Sequence, residues 1–119
     1  MIGYAIDVHT RELTEALKRL RKTDKNAPLV SLRYVPGKLT ISRGQASEEL
    51  PATGTWPSLV SASARWITAL ATNPFPAAIT DLQVHDGRLW ARAFAVDCTI
   101  HESEEVAVRV RRKIKRAGP

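Results

Sequence analysis

Two consecutive segments decide the architecture: residues 10–20, TRELTEALKRL, and residues 30–41, VSLRYVPGKLTI. In the first, Leu13, Ala16, Leu17 and Leu20 recur at helical spacing and share one face of an α-helix. Thr10 is read as its cap. Glu12 lies in the first turn, where the helix dipole favours an acid. The helix fades near Lys22 to Lys25 and is over by Pro28. Tyr4 to His9, just before it, reads as a short strand. After it, Leu29 to Val35 reads as a strand. Pro36-Gly37 reads as a tight turn, because proline presets φ and glycine supplies a positive one. Leu39 and Ile41 then alternate with Thr40 and Ser42, as in a strand with one buried face. A further strand is expected around Gln45 to Leu50.

The plan repeats in residues 63–70, SARWITAL, and 79–94, ITDLQVHDGRLWARAF. Thr55 to Val60 reads as a strand and Ser61 as the cap of a second helix over 62–72. Its inward face is Ile67, Leu70 and Ala71, and Asn73-Pro74 stops it. Ile79, Leu82 and Val84 mark a strand, and Asp86-Gly87 a hairpin turn. Leu89 to Phe94 returns, and Val96 to Ile100 is the last strand. Adding 50 to a position carries Leu20 to Leu70, Leu32 to Leu82, Gly37 to Gly87, Leu39 to Leu89 and Leu50 to Ile100, with no gap. Self-similarity at a fixed period marks a repeated supersecondary unit. The expected fold is therefore an α+β domain over 1–103. It is built from two β-α-β-β-β half-repeats, 3–50 and 53–100, with both helices on one face of a sheet. A basic C-terminal helix or tail follows at 104–119.

The chain has 119 residues and a net charge of +6. Residues 10–25 hold six basic and three acidic side chains, and residues 104–119 hold six and two. The rest hold six and seven, a net of −1. Clustered basic charge attracts polyanions far more than scattered lysines do. A solvated helix face with a loose basic tail carries the same pattern. On a helical wheel Arg11, Lys18, Lys22 and Lys25 lie opposite Leu13, Leu17 and Leu20. Glu15 interrupts them within pairing reach. The tail supplies Arg109, Arg111, Arg112, Lys113, Lys115 and Arg116. It reads as a helix capped by Ser103 with Glu104 and Glu105 at its positive end, or as an alternating strand. Grip on phosphates, an anionic membrane surface and an acidic partner are its possible uses. Membrane insertion is the weakest, since the tail has few large apolar residues.

The single cysteine, Cys98, allows no internal disulfide and suits a reducing compartment, so a cytoplasmic setting is expected. The first residues, MIGYAIDVHTREL, do not read as a signal peptide. His9, His85 and His101 show no metal-ligand spacing. Cys98 and His101 fall on opposite faces of a strand, and Asp7 with His9 lacks a third partner. No phosphate loop, nucleophile elbow or dinucleotide fingerprint is present, so neither an enzyme nor a cofactor is expected. Read as one strand, Leu89 to Val96 places Trp90, Arg92 and Phe94 on one face. That face is either a subunit or partner interface, where these residue types are enriched, or a patch covered by the chain itself.

The order strand, helix and three strands, used twice, resembles the DNA sliding clamp (processivity clamp) domain over about residues 3–101. The resemblance implies helices that line a ring and face DNA, strands that form the outer wall, and subunits that join edge to edge. Clamps of that family carry two or three such domains per chain, whereas this chain has one. Its second helix offers only Arg65 as a charge, so DNA contact would rest on the first helix and the tail. The resulting expectation is a non-catalytic, largely sequence-independent duplex-DNA-binding accessory protein acting as a homo-oligomer. The alternatives are a protein–protein adaptor using Trp90 and Phe94, and a small enzyme subunit whose site a partner completes.

Overall fold

The computed structural model describes residues 3–72, 77–91 and 94–101. Its elements are β1 Tyr4–His9, α1 Thr10–Lys22, β2 Leu29–Val35, β3 Gly37–Arg43 and β4 Ala46–Thr55, then β5 Leu59–Ser63, α2 Arg65–Thr72, β6 Ile79–His85, β7 Arg88–Ala91 and β8 Phe94–Ile100. The eight strands close into a barrel in the order β1-β4-β3-β2-β5-β8-β7-β6, with every pairing antiparallel.

This corrects the expected fold class, an α+β sheet carrying both helices on one face. The sheet has no two ends, because β2 pairs with β5 and β6 pairs back onto β1. Strands β1 to β7 still bury alternate residues, among them Ile6 and Val8, Val30 and Leu32, Leu39 and Ile41, Leu82 and Val84. One buried face per strand suits an open sheet and a closed barrel equally, so the period of two could not separate them.

The strand order within 4–55, β1-β4-β3-β2, recurs within 59–100 as β5-β8-β7-β6. The offset of 50 holds from β2 to the start of β3, but it is not gap-free elsewhere. The counterpart of β1 is β5, which begins 55 residues later, because α1 has 13 residues and α2 has 8. Leu50 faces Leu39, and Val96 faces Leu89, so Leu50 corresponds to Val96 and not to Ile100.

Both helices lay their apolar stripes on the barrel's inner residues. Leu13, Leu17 and Leu20 of α1 and Trp66, Ile67 and Leu70 of α2 join Leu32, Ile41, Leu82 and Leu89 in one core. Fully burying a side chain of this size contributes about 1.5–3 kcal/mol, so the core and not helix propensity holds the short α2. Two equivalent backbone bonds fix where the helices start: Thr10 N–H to Ala78 O at 2.9 Å and Ala64 N–H to Pro28 O at 2.9 Å. The start of α2 is thus tied to the residue before β2, and the start of α1 to the residue before β6. The two helices pack against each other, α1 also against β1 and β4 and α2 against β8.

Local readings change in two places. Thr10 is the first helical residue and not the cap. His9 takes that position without a side-chain bond, and the Thr10 hydroxyl is buried against that of Thr80 at 2.6 Å. Ser61 lies inside β5, bonded to His101 Nε2 at 2.8 Å. The amide at the start of α2 instead uses Ser63, whose Oγ accepts the Arg65 N–H. Asp86 and Gly87, with φ of 56° and 72°, form the mirror-image hairpin turn expected of Asp-Gly.

Barrel closure is staggered. β4 pairs with β3 along 46–52 but with β1 only along 52–55, and β8 pairs with β7 along 94–97 and with β5 along 98–100. Among the described residues, 46–51 of β4 and 94–97 of β8 therefore have a strand neighbour on one side only.

Candidate nucleic-acid interface

The outward stripe of α1 carries Arg11, Glu15, Lys18 and Lys22, all exposed. Arg11 and Glu15 approach to 4.0 Å with side chains 91% and 59% exposed, too open for the pair to neutralise much of the stripe. Lys25, placed on the same stripe by the sequence, stands just beyond the helix in the exposed loop to β2. Arg65 opens α2 and is exposed. A shallow cleft of about 460 Å³ runs beside α1, lined among others by His9, Arg11, Thr14, Glu15 and Lys18. Arg109, Arg111, Arg112, Lys113, Lys115 and Arg116 lie outside the described residues, as do the rest of the expected tail and Arg92.

Other cations are already engaged. Arg19 bonds Glu48 at 2.8 Å across to β4, and that bond raises its guanidinium above the usual arginine range. Lys38 stands 3.6 Å from Glu49 and Arg88 3.5 Å from Asp97 on the strands. The strand wall also exposes Asp7 and Asp81, paired directly across β1 and β6. The positive field therefore belongs to the helix layer, while on the wall the cations of these pairs meet acids.

The structure does not bring Trp90 and Phe94 together. β7 ends at Ala91, and a two-residue connection leads into β8, so Trp90 pairs with Ala95 and Ala91 with Phe94. The break changes the phase. Phe94 packs on the core, while Trp90 lies outside and stacks on the His85 ring at 5.1 Å between centroids and 9° between planes. The single aromatic face expected from the sequence is thereby overturned. Because its own chain half-covers Trp90, replacing it by glutamate is expected to cost about 0.5–1.5 kcal/mol in urea denaturation, the range of an aromatic pair. The sedimentation coefficient should not change. A shift toward smaller species would restore Trp90 as an interface anchor.

Cys98 is half-buried, and burial, followed by nearby Asp97, pushes its thiol above the usual range. That protects the thiol form and suits a packing role. No group of histidine, cysteine, aspartate and glutamate able to hold a metal occurs among the described residues. No helix there is long and apolar enough to cross a membrane. One residue passed over in the sequence is Arg43. It is 8% exposed and follows the inward alternation Leu39, Ile41, Arg43 that could have revealed it.

No protein-family model matches the chain, and no curated protein matches it. Among solved structures it is similar to a DNA polymerase III subunit beta DnaN sliding clamp from Bartonella birtlesii LL-WM9, with a TM-score of 0.55 and 15% identity. The match covers 82% of this chain and 29% of that one. At that identity the likeness concerns the fold, which is clamp-like.

Proposed function

We propose that this chain is a non-catalytic accessory module that holds duplex DNA without reading its sequence, acting as a homo-oligomer in a cytoplasmic setting. The observation that carries the reading is the basic face of the helix layer, Arg11, Lys18, Lys22, Lys25 and Arg65, on a clamp-like fold whose strand wall sets its cations against acids. Lysine–phosphate contacts position a protein on DNA and carry no base information. The chain spans less than a third of the clamp it resembles, so surrounding a duplex would take several copies.

The half-open strands offer the means of assembly. A groove of about 280 Å³ beside the open side of β8 is lined by Ser63, Arg65, Arg88, Ala95 and Asp97, while β4 presents Glu48 and Glu49. Pairing of β4 from one copy with β8 of the next satisfies both edges. Sedimentation with and without a generic duplex tests both parts of the reading: oligomers alone and a heavier complex with DNA support it, and a monomer indifferent to DNA sinks it.

Hydrogen-bond alternation identifies the variant that separates assembly from folding. Cys98 N–H bonds Gly87 O at 3.0 Å, so 87/98, 89/96 and 91/94 are the bonded pairs, and the Ala95 N–H points away from β7. Ala95→Pro removes that donor and fixes φ at an edge position, without removing a bond to β7. It is expected to reduce the oligomer to monomer, with the thermal midpoint shifted by a few degrees at most. Retention of the oligomer would exclude the β8 edge.

A further inference from the structure

Arg43 ends β3, and among the described residues its guanidinium donates only to backbone. Nε reaches Ala27 O at 3.1 Å, Nη1 reaches Leu20 O at 3.4 Å and Arg21 O at 3.5 Å, and Nη2 reaches Lys25 O at 3.1 Å. Two of these carbonyls belong to the last turn of α1 and two to the loop into β2. Among the described residues no carboxylate pairs with Arg43. Its charge is offset by those carbonyls and by the negative end of the helix dipole. A second bond runs the other way: the Gln45 N–H donates to Asp24 Oδ2 at 2.5 Å, with Asp24 itself at a φ of 45°. A side chain on Gly44 would stand 2.6 Å from that same carboxylate oxygen. The loop that carries Lys25 and follows Lys22 is thus fastened from both sides to the β3–β4 turn.

In the second half Ala91 pairs with Leu82 as Ile41 pairs with Leu32, and it closes the hairpin against Phe94, so that hairpin ends two residues earlier than the one Arg43 closes against Ala46.

We propose that Arg43 is a positioning residue for polyanion binding. It holds the backbone of Lys22 and Lys25 in fixed register with Lys18, so that the three ammonium groups meet phosphates together. The inference rests on the DNA-binding reading of the helix layer. Arg43 is itself too buried to touch a phosphate.

The test uses the full chain, a fluorescein-labelled generic duplex and anisotropy titrations at several salt concentrations. Arg43→Lys keeps the charge but loses the guanidinium fork. A field effect alone predicts unchanged binding, whereas positioning predicts roughly tenfold weaker binding. It also predicts a log–log salt slope shallower by about 1.8, since each of two lost phosphate contacts accounts for about 0.9. Asp24→Gly removes the opposing bond at an exposed site that tolerates its backbone angle. By charge alone it should tighten binding, and by positioning it should make the slope shallower. It stands in should the arginine variant fail to fold. In a Lys22→Gln, Lys25→Gln background neither change should move the slope further. Hydrogen exchange at residues 23–28 should quicken in both variants. Wild-type slope in both variants despite faster exchange, or additive loss in the double-glutamine background, overturns the role of Arg43 alone. A wild-type chain that ignores salt overturns the DNA-binding reading and this inference with it.

Discussion

Gly54→Ala is expected to destabilise the domain by about 2 kcal/mol or more, in the range of backbone strain combined with a forced shift of packed atoms. Gly54 has a φ of 140° and pairs with Ile6 in the short seam where β4 meets β1. A Cβ there would run into the Ala5 carbonyl oxygen and come within 2.8 Å of the Ile6 Cα. Both are backbone atoms, so relief means parting the strands. The seam has only four residue pairs, and one of them would be lost with its neighbours disturbed. Gly37→Ala is the control. Gly37 also has a positive φ, 91°, but nothing lies within 4 Å of its added carbon. Its replacement should cost only about 1 kcal/mol, the conformational penalty without the clash. Urea denaturation with unchanged m-values would measure both. Equal, mild losses would mean that β4 does not lie against β1 at Gly54 and that the barrel is open there.

Much of this architecture was readable because the residues that dictate it act locally. The stripe Leu13, Leu17, Leu20 and the turns Pro36-Gly37 and Asp86-Gly87 carry their signals within a few positions, and each element stands where they put it. Closure of the barrel is a long-range property. It depends on Leu32 meeting Val60 and on Ile6 meeting Leu82, pairings that leave no trace in the alternation of either strand.

The aromatic face failed for a local reason of another kind. Ala91-Arg92-Ala93-Phe94 contains none of the residues that usually mark a turn, so the strand was read straight through. The interruption then reversed the inward and outward sense of every position after it. The basic face of α1 was legible because helical spacing alone sorts its cations from its leucines. The tethering of its far end by Arg43 was not, since a buried arginine among apolar alternates looks like an exception until its carbonyl partners are in place.

The DNA-binding reading makes the largest expected change in affinity. Neutralising phosphates releases condensed counterions, so log affinity should fall linearly with log salt at about −0.9 per phosphate engaged. With contacts from α1 and from the basic C-terminal segment, the expected slope is roughly −4 to −8, with little dependence on duplex sequence. Lys18, Lys22 and Lys25 are all exposed, so changing them together to glutamine should leave the fold intact and reduce the slope by about 3. Removing residues 109–116 should reduce it further. The decisive measurement is an anisotropy titration of a generic duplex at several salt concentrations, for the wild-type chain and this triple variant side by side. A steep wild-type slope that becomes shallower by about 3 in the variant is the result predicted here. Weak binding indifferent to salt, or a variant indistinguishable from wild type, would contradict it.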